Sequence, residues 1–156
     1  GLNIGGWVSH VSQGQLYGKH RQLLGNVANA FQAFHRDMQE QWEDVLIVTM
    51  TEFGRTSKEN GSRGTDHADS TAMFVAGGAV KGGVYNCDRS NWKNGDMFST
   101  KNGRYLDRKT DFRSVFGEIF SDHFGNTPKQ LDDVIPTYAQ AKKENPSDFK
   151  KLGFIS

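Results

Sequence analysis

The stretch Asp44-Val45-Leu46-Ile47-Val48-Thr49-Met50-Thr51-Glu52-Phe53-Gly54-Arg55 decides how the rest of this chain is read. Residues 45–50 form an unbroken apolar and β-branched run with no polar alternation, which is how a strand covered on both faces reads. Strands of that kind belong to parallel sheets and predict an α/β architecture. A second run, Ala72-Met73-Phe74-Val75-Ala76, stops at Gly77-Gly78 and reads as a second buried strand. Between the two lies a polar loop over residues 51–69, punctuated by Gly54, Asn60, Gly61 and Gly64. Loops of that length in compact domains usually carry function, and open α/β sheets hold their sites beyond the carboxyl ends of the strands.

Working outward, residues 16–41 place Leu23, Val27, Phe31, Phe34 and Met38 at spacings of three and four, which predicts a long amphipathic helix. Gly18 and Gly25 each weaken it by about 1 kcal/mol relative to Ala, so packing on a sheet must stabilise it. Ahead of it, Leu2, Ile4, Trp7 and Val8 among three glycines read as a short strand ending at Ser9-His10. On the other side, Gly77 to Gly83 lacks the Gly-Lys-Ser/Thr ending of a phosphate-binding loop and reads as a sharp turn. Residues 81–108 mix Gly, Asn, Asp and Lys with isolated aromatics, a composition of short hairpins or irregular surface structure. Thr110 or Asp111 can cap a helix carrying Phe112, Val115, Phe116, Ile119 and Phe120 on one stripe and ending near Gly125. All three prolines follow, and residues 126–156 read as an extended, solvated tail after a domain spanning 1–125.

With 156 residues the chain suits one domain or a large piece of a bigger one. Leu, Ile, Val and Phe number 34, enough to exclude intrinsic disorder but few for the length. Nineteen basic residues against 18 acidic ones, with neither a basic stripe nor an acidic tail, leave nucleic acid and an anionic membrane unsupported as primary partners, so neither is expected. No apolar run nears the ~20 residues of a membrane-crossing helix. Cys87 is the only cysteine and can build neither an internal disulfide nor a thiolate metal site. The chain starts at Gly1 in what reads as the middle of a structured segment, so a fragment or processed product is expected.

Ser9-His10, the Thr49 to Arg55 block and Thr65-Asp66-His67 fall at or beside predicted strand ends. Imidazole and carboxylate groups arriving from separate strand ends form the donor set that suits a divalent ion such as zinc, manganese or magnesium. His10, Glu52, Asp66 and His67 are therefore the candidate metal ligands, and Arg55 and Arg63 the candidate anion clamps. Each also has a plainer reading. Glu52 and Arg55, three apart, can form a local ion pair contributing about 0–1 kcal/mol, Asp66 can cap a turn, and loop arginines are commonly solvated. His20, His35 and His123 fall in helical stretches and read as structural or exposed.

Taken in order, Gly6-Trp7-Val8-Ser9-His10, the block at 44–56, Asn60-Gly61-Ser62-Arg63-Gly64-Thr65-Asp66-His67, the segment 74–83 and Thr110-Asp111-Phe112-Arg113-Ser114-Val115 form a recognisable set. They resemble the C-terminal part of the bacterial domain-of-unknown-function 1501 family, related to the alkaline phosphatase and sulfatase superfamily, over about residues 5–125. The resemblance implies a three-layer α/β/α sandwich, here incomplete, and a metal-dependent phosphate or sulfate ester hydrolase acting on a small anionic ester. By motif, His10 resembles the first metal-binding His, His67 the later one, and Glu52 stands at an acidic-ligand position. Two departures follow. Val8 replaces the family's Asp two residues before His10, and the superfamily's nucleophile lies in an N-terminal region absent from these residues. The expected outcome is a weak or inactive hydrolase-derived domain, or alternatively a non-catalytic binding or assembly module retaining the fold. Self-association, or pairing with an N-terminal complementary segment, is expected from uncovered sheet edges and helix faces. A periplasmic or secreted origin is implied by resemblance alone.

Overall fold

The computed structural model describes residues 1–87, 97–98 and 103–156. Its order is α1 (Lys19–Met38), a 3-10 segment (Gln39–Asp44), β1 (Leu46–Val48), β2 (Gly54–Arg55), β3 (His67–Ala68), β4 (Val75–Gly77), α2 (Phe112–Glu118) continued by a π-helical turn (Ile119–His123), α3 (Pro128–Val134), α4 (Tyr138–Glu144) and a 3-10 turn (Pro146–Phe149). The mixture of helices and small sheets is consistent with the α/β class. Contacts divide it into two compact units, Gly1–Trp42 with Met50–Met73 and Phe98–Leu106, and Glu43–Thr49 with Phe74–Met97 and Asp107–Ser156. No helix among the described residues is long and apolar enough to cross a membrane.

The first unit is built from α1 and two loops. Leu23, Val27, Phe31 and Met38 fall on the half-buried side of α1 as their spacing requires, yet no residue of α1 is fully buried and Phe34 is exposed. The helix starts after Gly18 without a side-chain cap. The expected strand before Ser9 is absent. The chain instead pairs through Ser9 to Gln13, whose backbone bonds residues 62–65: Ser12 N–H to Ser62 O and Gln13 N–H to Arg63 O, both 2.9 Å, and Thr65 N–H to Ser9 O, 3.2 Å. The glycines in residues 1–6 cost more backbone freedom than a strand interior tolerates. β2 and β3 pair antiparallel, Gly54 with Ala68 and Arg55 with His67. Gly54 is required there because a Cβ would overlap the Ser70 backbone.

The second unit holds every buried apolar side chain found among the described residues, including Val115, Ile119, Leu131, Ile135, Phe149, Phe154 and Ile155. β1 and β4 form its sheet, but antiparallel (Leu46 opposite Gly77, Ile47 opposite Ala76, Val48 opposite Val75) and only half-buried. The parallel expectation is thus corrected: an unbroken apolar run reports cover on a strand's faces, not the direction of its neighbour. Gly77 and Val80 close a turn, Val80 N–H to Gly77 O at 3.2 Å. α2 begins where expected, with the Asp111 carboxylate accepting from Arg113 N–H at 2.9 Å, and the chain leaves the helical stretch at Gly125, whose φ is +71°.

Residues 126–156, expected as an extended tail, are mostly helical and partly buried. Thr127 and Gln130 form a capping box around Pro128, which starts α3. Further on, the buried Glu118 carboxylate accepts from Leu152 N–H at 2.7 Å and Phe154 N–H at 2.8 Å, and Ile155 bridges Val80. Two charge-assisted bonds to the backbone and the burial of Phe154 hold this segment in place. Residues 88–96 and 99–102 of the expected hairpin region lie outside the described residues.

Candidate functional site

The site candidates gather in the first unit around the pairing of the 9–13 and 60–67 loops. The contact is close because Gly64 has no side chain: a Cβ there would overlap the carbonyls of Ser9 and His10. Asn60 organises the cluster. Its amide Nδ2 donates to His10 O and to Asp66 Oδ1, both at 2.9 Å, while its Oδ1 accepts from Ser62 N–H at 2.9 Å and Gly64 N–H at 3.1 Å. Thr56, buried, adds its hydroxyl as acceptor for Asp66 N–H at 3.2 Å and its own N–H to Asp66 O at 3.0 Å.

Asp66 is thereby fixed with both oxygens engaged. Oδ1 lies 3.2 Å from His10 Nδ1, and Oδ2 accepts from Arg104 Nη2 at 2.7 Å. The bonds from Asn60 and then from His10 hold its carboxyl below the usual carboxylate range. An ionised carboxylate only accepts, so His10 Nδ1 is the donor in this bond. The His67 ring stacks on Phe53 (centroids 3.8 Å apart, 9° between planes) and on His10 (4.8 Å, 26°). Three expected residues, His10, Asp66 and His67, therefore meet, drawn from segments 56 positions apart.

The other candidates fall elsewhere. Glu52 is exposed in the loop before β2 and makes no ion pair or hydrogen bond among the described residues. Arg55 turns inward: its guanidinium donates to Thr65 O at 2.6 Å, to Thr65 Oγ1 at 2.9 Å and to Trp7 O, and burial lowers its pKa. Two of its nitrogens are thus committed to tying the chain together, which replaces the expected clamp role with a structural one. Thr65 passes the network on through its hydroxyl to Gln13 Oε1 at 2.6 Å, where Ser9 Oγ also donates at 2.9 Å. Arg63 sits at φ +59° with its side chain exposed, the better placed of the two for a solvent-borne anion. His20 meets Trp7 edge to face at 5.8 Å, and burial and then Arg55 lower its pKa.

Gln13, Thr56 and Arg104 are the residues that the sequence reading passed over, and Asn60 was read there only as a loop and motif residue. The Asn60-Gly61 dipeptide is a turn signal, and an Asn that accepts backbone N–H groups two and four residues on is what such a turn uses. Nothing local marks Arg104 or Gln13. Among the described residues no group of three or more His, Cys, Asp and Glu side chains is arranged to hold a metal ion. The donor chemistry agrees: Asp66 has spent its oxygens on Asn60, His10 and Arg104, and His67 lies flat on Phe53. The described residues do not close a metal shell. What they offer is an oriented imidazole on a carboxylate, beside a second imidazole.

No curated protein and no solved structure is significantly similar to this chain. A family model described as a protein of unknown function (DUF1501) matches residues 1–100, most of the chain and all of the loops that bring His10, Asp66 and His67 together, so the chain belongs to the DUF1501 family.

Proposed function

We propose that the chain is the C-terminal part of an alkaline phosphatase/sulfatase-like domain, a three-layer α/β/α sandwich when complete, and that its loop site receives a phosphate or sulfate ester. The observation that supports this most is the 3.2 Å approach of His10 Nδ1 to Asp66 Oδ1, with the His67 ring stacked alongside. A carboxylate that holds Nδ1–H leaves Nε2 to give a proton to a departing ester oxygen or to take one from water. Arg63 is the cation available to an ester's anionic oxygens. No step runs through a metal, because the donor set is not closed. No side chain in the described site has the setting of an activated nucleophile, so water is the attacking group and turnover is slow.

The test is hydrolysis of an aryl phosphate and an aryl sulfate by the chain, by His10→Ala and by His67→Ala, with phosphate binding followed separately by amide chemical shifts. Loss of a proton-transfer group lowers the rate by about 10²–10⁴. Equal rates in all three proteins would refute the assignment. A second reading, a non-catalytic binding or assembly module, is supported by Val8 at the family's Asp position and by the filled oxygens of Asp66. Cooperative folding without turnover or bound metal would favour it, whereas stoichiometric zinc lost in His67→Ala would count against it.

A further inference from the structure

The pair formed by His10 and Asp66 is not held by packing. Its side chains are 45% and 41% exposed, and an exposed pair gains too little against its own side-chain freedom to fix its geometry. The backbone bonds of Ser12, Gln13 and Thr65 bring the two loops together, and Thr56 holds the Asp66 main chain. None of these bonds reaches the imidazole or the carboxylate oxygen that it meets. Arg104 bonds the other oxygen, Oδ2.

The Asn60 amide reaches both partners. Its Nδ2 carries two protons and meets two acceptors, His10 O and Asp66 Oδ1, each at 2.9 Å. Asp66 Oδ1 is also the oxygen 3.2 Å from His10 Nδ1. The three residues thus close a ring: Asn60 ties the main chain of His10 to the oxygen that the His10 imidazole bonds. The amide cannot be turned round, because its Oδ1 faces the N–H groups of Ser62 at 2.9 Å and Gly64 at 3.1 Å. Reversed, it would set donors against donors at one end and acceptors against acceptors at the other. Its two ends therefore have separable parts. The oxygen shapes the turn that follows Asn60, and the nitrogen spans the pair.

We propose that Asn60 is the positioning residue of the His10–Asp66 pair: the two N–H bonds of its amide fix the imidazole on Asp66 Oδ1, over and above the turn that its oxygen shapes. Asn60 acts through His10 and not on the ester itself. The inference rests on the hydrolase reading for what His10 then does, but not for the geometry. In that reading a displaced imidazole loses rate and not binding, since Arg63 receives the anion. A displacement of about 1 Å is enough to cost about 10² in rate.

The experiment compares the whole chain with Asn60→Ala, which removes both ends of the amide, and Asn60→Asp, which restores the accepting end alone. Nitrogen-15 shifts of the His10 ring, at about pH 8.5 and so well above the ordinary imidazole value, read which nitrogen holds the proton. The Ser62 and Gly64 amide shifts read the turn. The wild type is expected to hold the proton on Nδ1 and Asn60→Ala to lose that preference. Asn60→Asp is expected to recover the turn amides but not the Nδ1 proton. Recovery of both in Asn60→Asp would overturn the proposal, because Asn60 then only shapes the turn. So would an Nδ1 proton that persists in Asn60→Ala, or a wild-type His10 protonated on Nε2. If Asn60→Asp does not restore the turn, Asn60→Ser, whose hydroxyl can accept the same backbone N–H, takes its place with the same two outcomes. Aryl phosphate hydrolysis separates this inference from the reading beneath it. A wild type with the Nδ1 signature but no turnover refutes the hydrolase and supports the positioning; with turnover, kcat is expected to fall about 10² in Asn60→Asp at unchanged KM, and an unchanged kcat would overturn the proposal.

Discussion

The two units of this chain are held together by different physics. The second has the apolar interior: Phe154 is 3% exposed, and Ile119, Leu131 and Ile155 are nearly as well covered. The first has no buried apolar residue among those described. Its buried positions are Ser9, Gly54, Thr56 and Gly64, and its cohesion comes from the Asn60, Asp66, Arg55 and Thr65 hydrogen bonds. Individual hydrogen bonds contribute about 1 kcal/mol net, and they are directional. A loop site assembled this way is geometrically specified yet easily opened, whereas the helical unit is stable and chemically plain. The candidate chemistry sits in the first kind of structure, as it does wherever function draws on local regions of low stability.

The largest test of this contrast is Phe154→Ala. Emptying that position should cost about 3–5 kcal/mol, read by denaturant unfolding, and no single substitution in α1 should match it. Next, Asn60→Ala strips four hydrogen bonds and leaves His10 O, Asp66 and two backbone N–H groups short of partners. About 2–3 kcal/mol is expected locally, seen as faster exchange of the 60–66 amides with protection at Val115 and Ile119 unchanged. Equal loss of protection in both units would break the comparison.

A smaller effect separates charge from packing at the start of α2. The Arg113 side-chain bond, ahead of the cost of burial, holds the Asp111 carboxyl below its usual range. The folded state thus favours the ionised form, so this stability is fully present above the unfolded value of about 3.9. It is lost as pH falls through the lower folded value. Asp111→Asn should flatten that acid limb, and Asp111→Ala should remove about 1 kcal/mol of capping at neutral pH. Smallest of all, Gly25→Ala should stabilise α1 by about 0.5–1 kcal/mol, since nothing lies within 4 Å of the added Cβ. A loss there would mean that α1 packs more tightly than its half-buried stripe indicates.

Periodicity was the reliable guide in the sequence. The stripe Leu23, Val27, Phe31, Met38 located α1, and Asp111 followed by Phe112, Val115, Phe116 and Ile119 located α2, because helical spacing and capping are local. The helices after residue 126 were also marked, by Thr127-Pro128 and Gln130, but a cluster of prolines reads as loop unless that cap is weighed. In the site, His10, Asp66 and His67 were found as residue types in a glycine-rich setting. The inward turn of Arg55 and the part played by Gln13 and Arg104 were not, since each depends on contacts across more than 30 positions.

The sequence by itself determined the long helix α1, the start of α2, the strand at 46–48 and the family to which the chain belongs. It also excluded a thiolate site, because one cysteine cannot make one. Only the tertiary structure decided that β1 runs antiparallel to β4, that the apolar core belongs to one unit, and that Asp66 gives its oxygens to Asn60, His10 and Arg104. The physical reason is range. Helix periodicity, capping and turn chemistry are set by residues within a few positions of one another, whereas strand direction, burial and the partner of a carboxylate are set by whichever distant segment arrives.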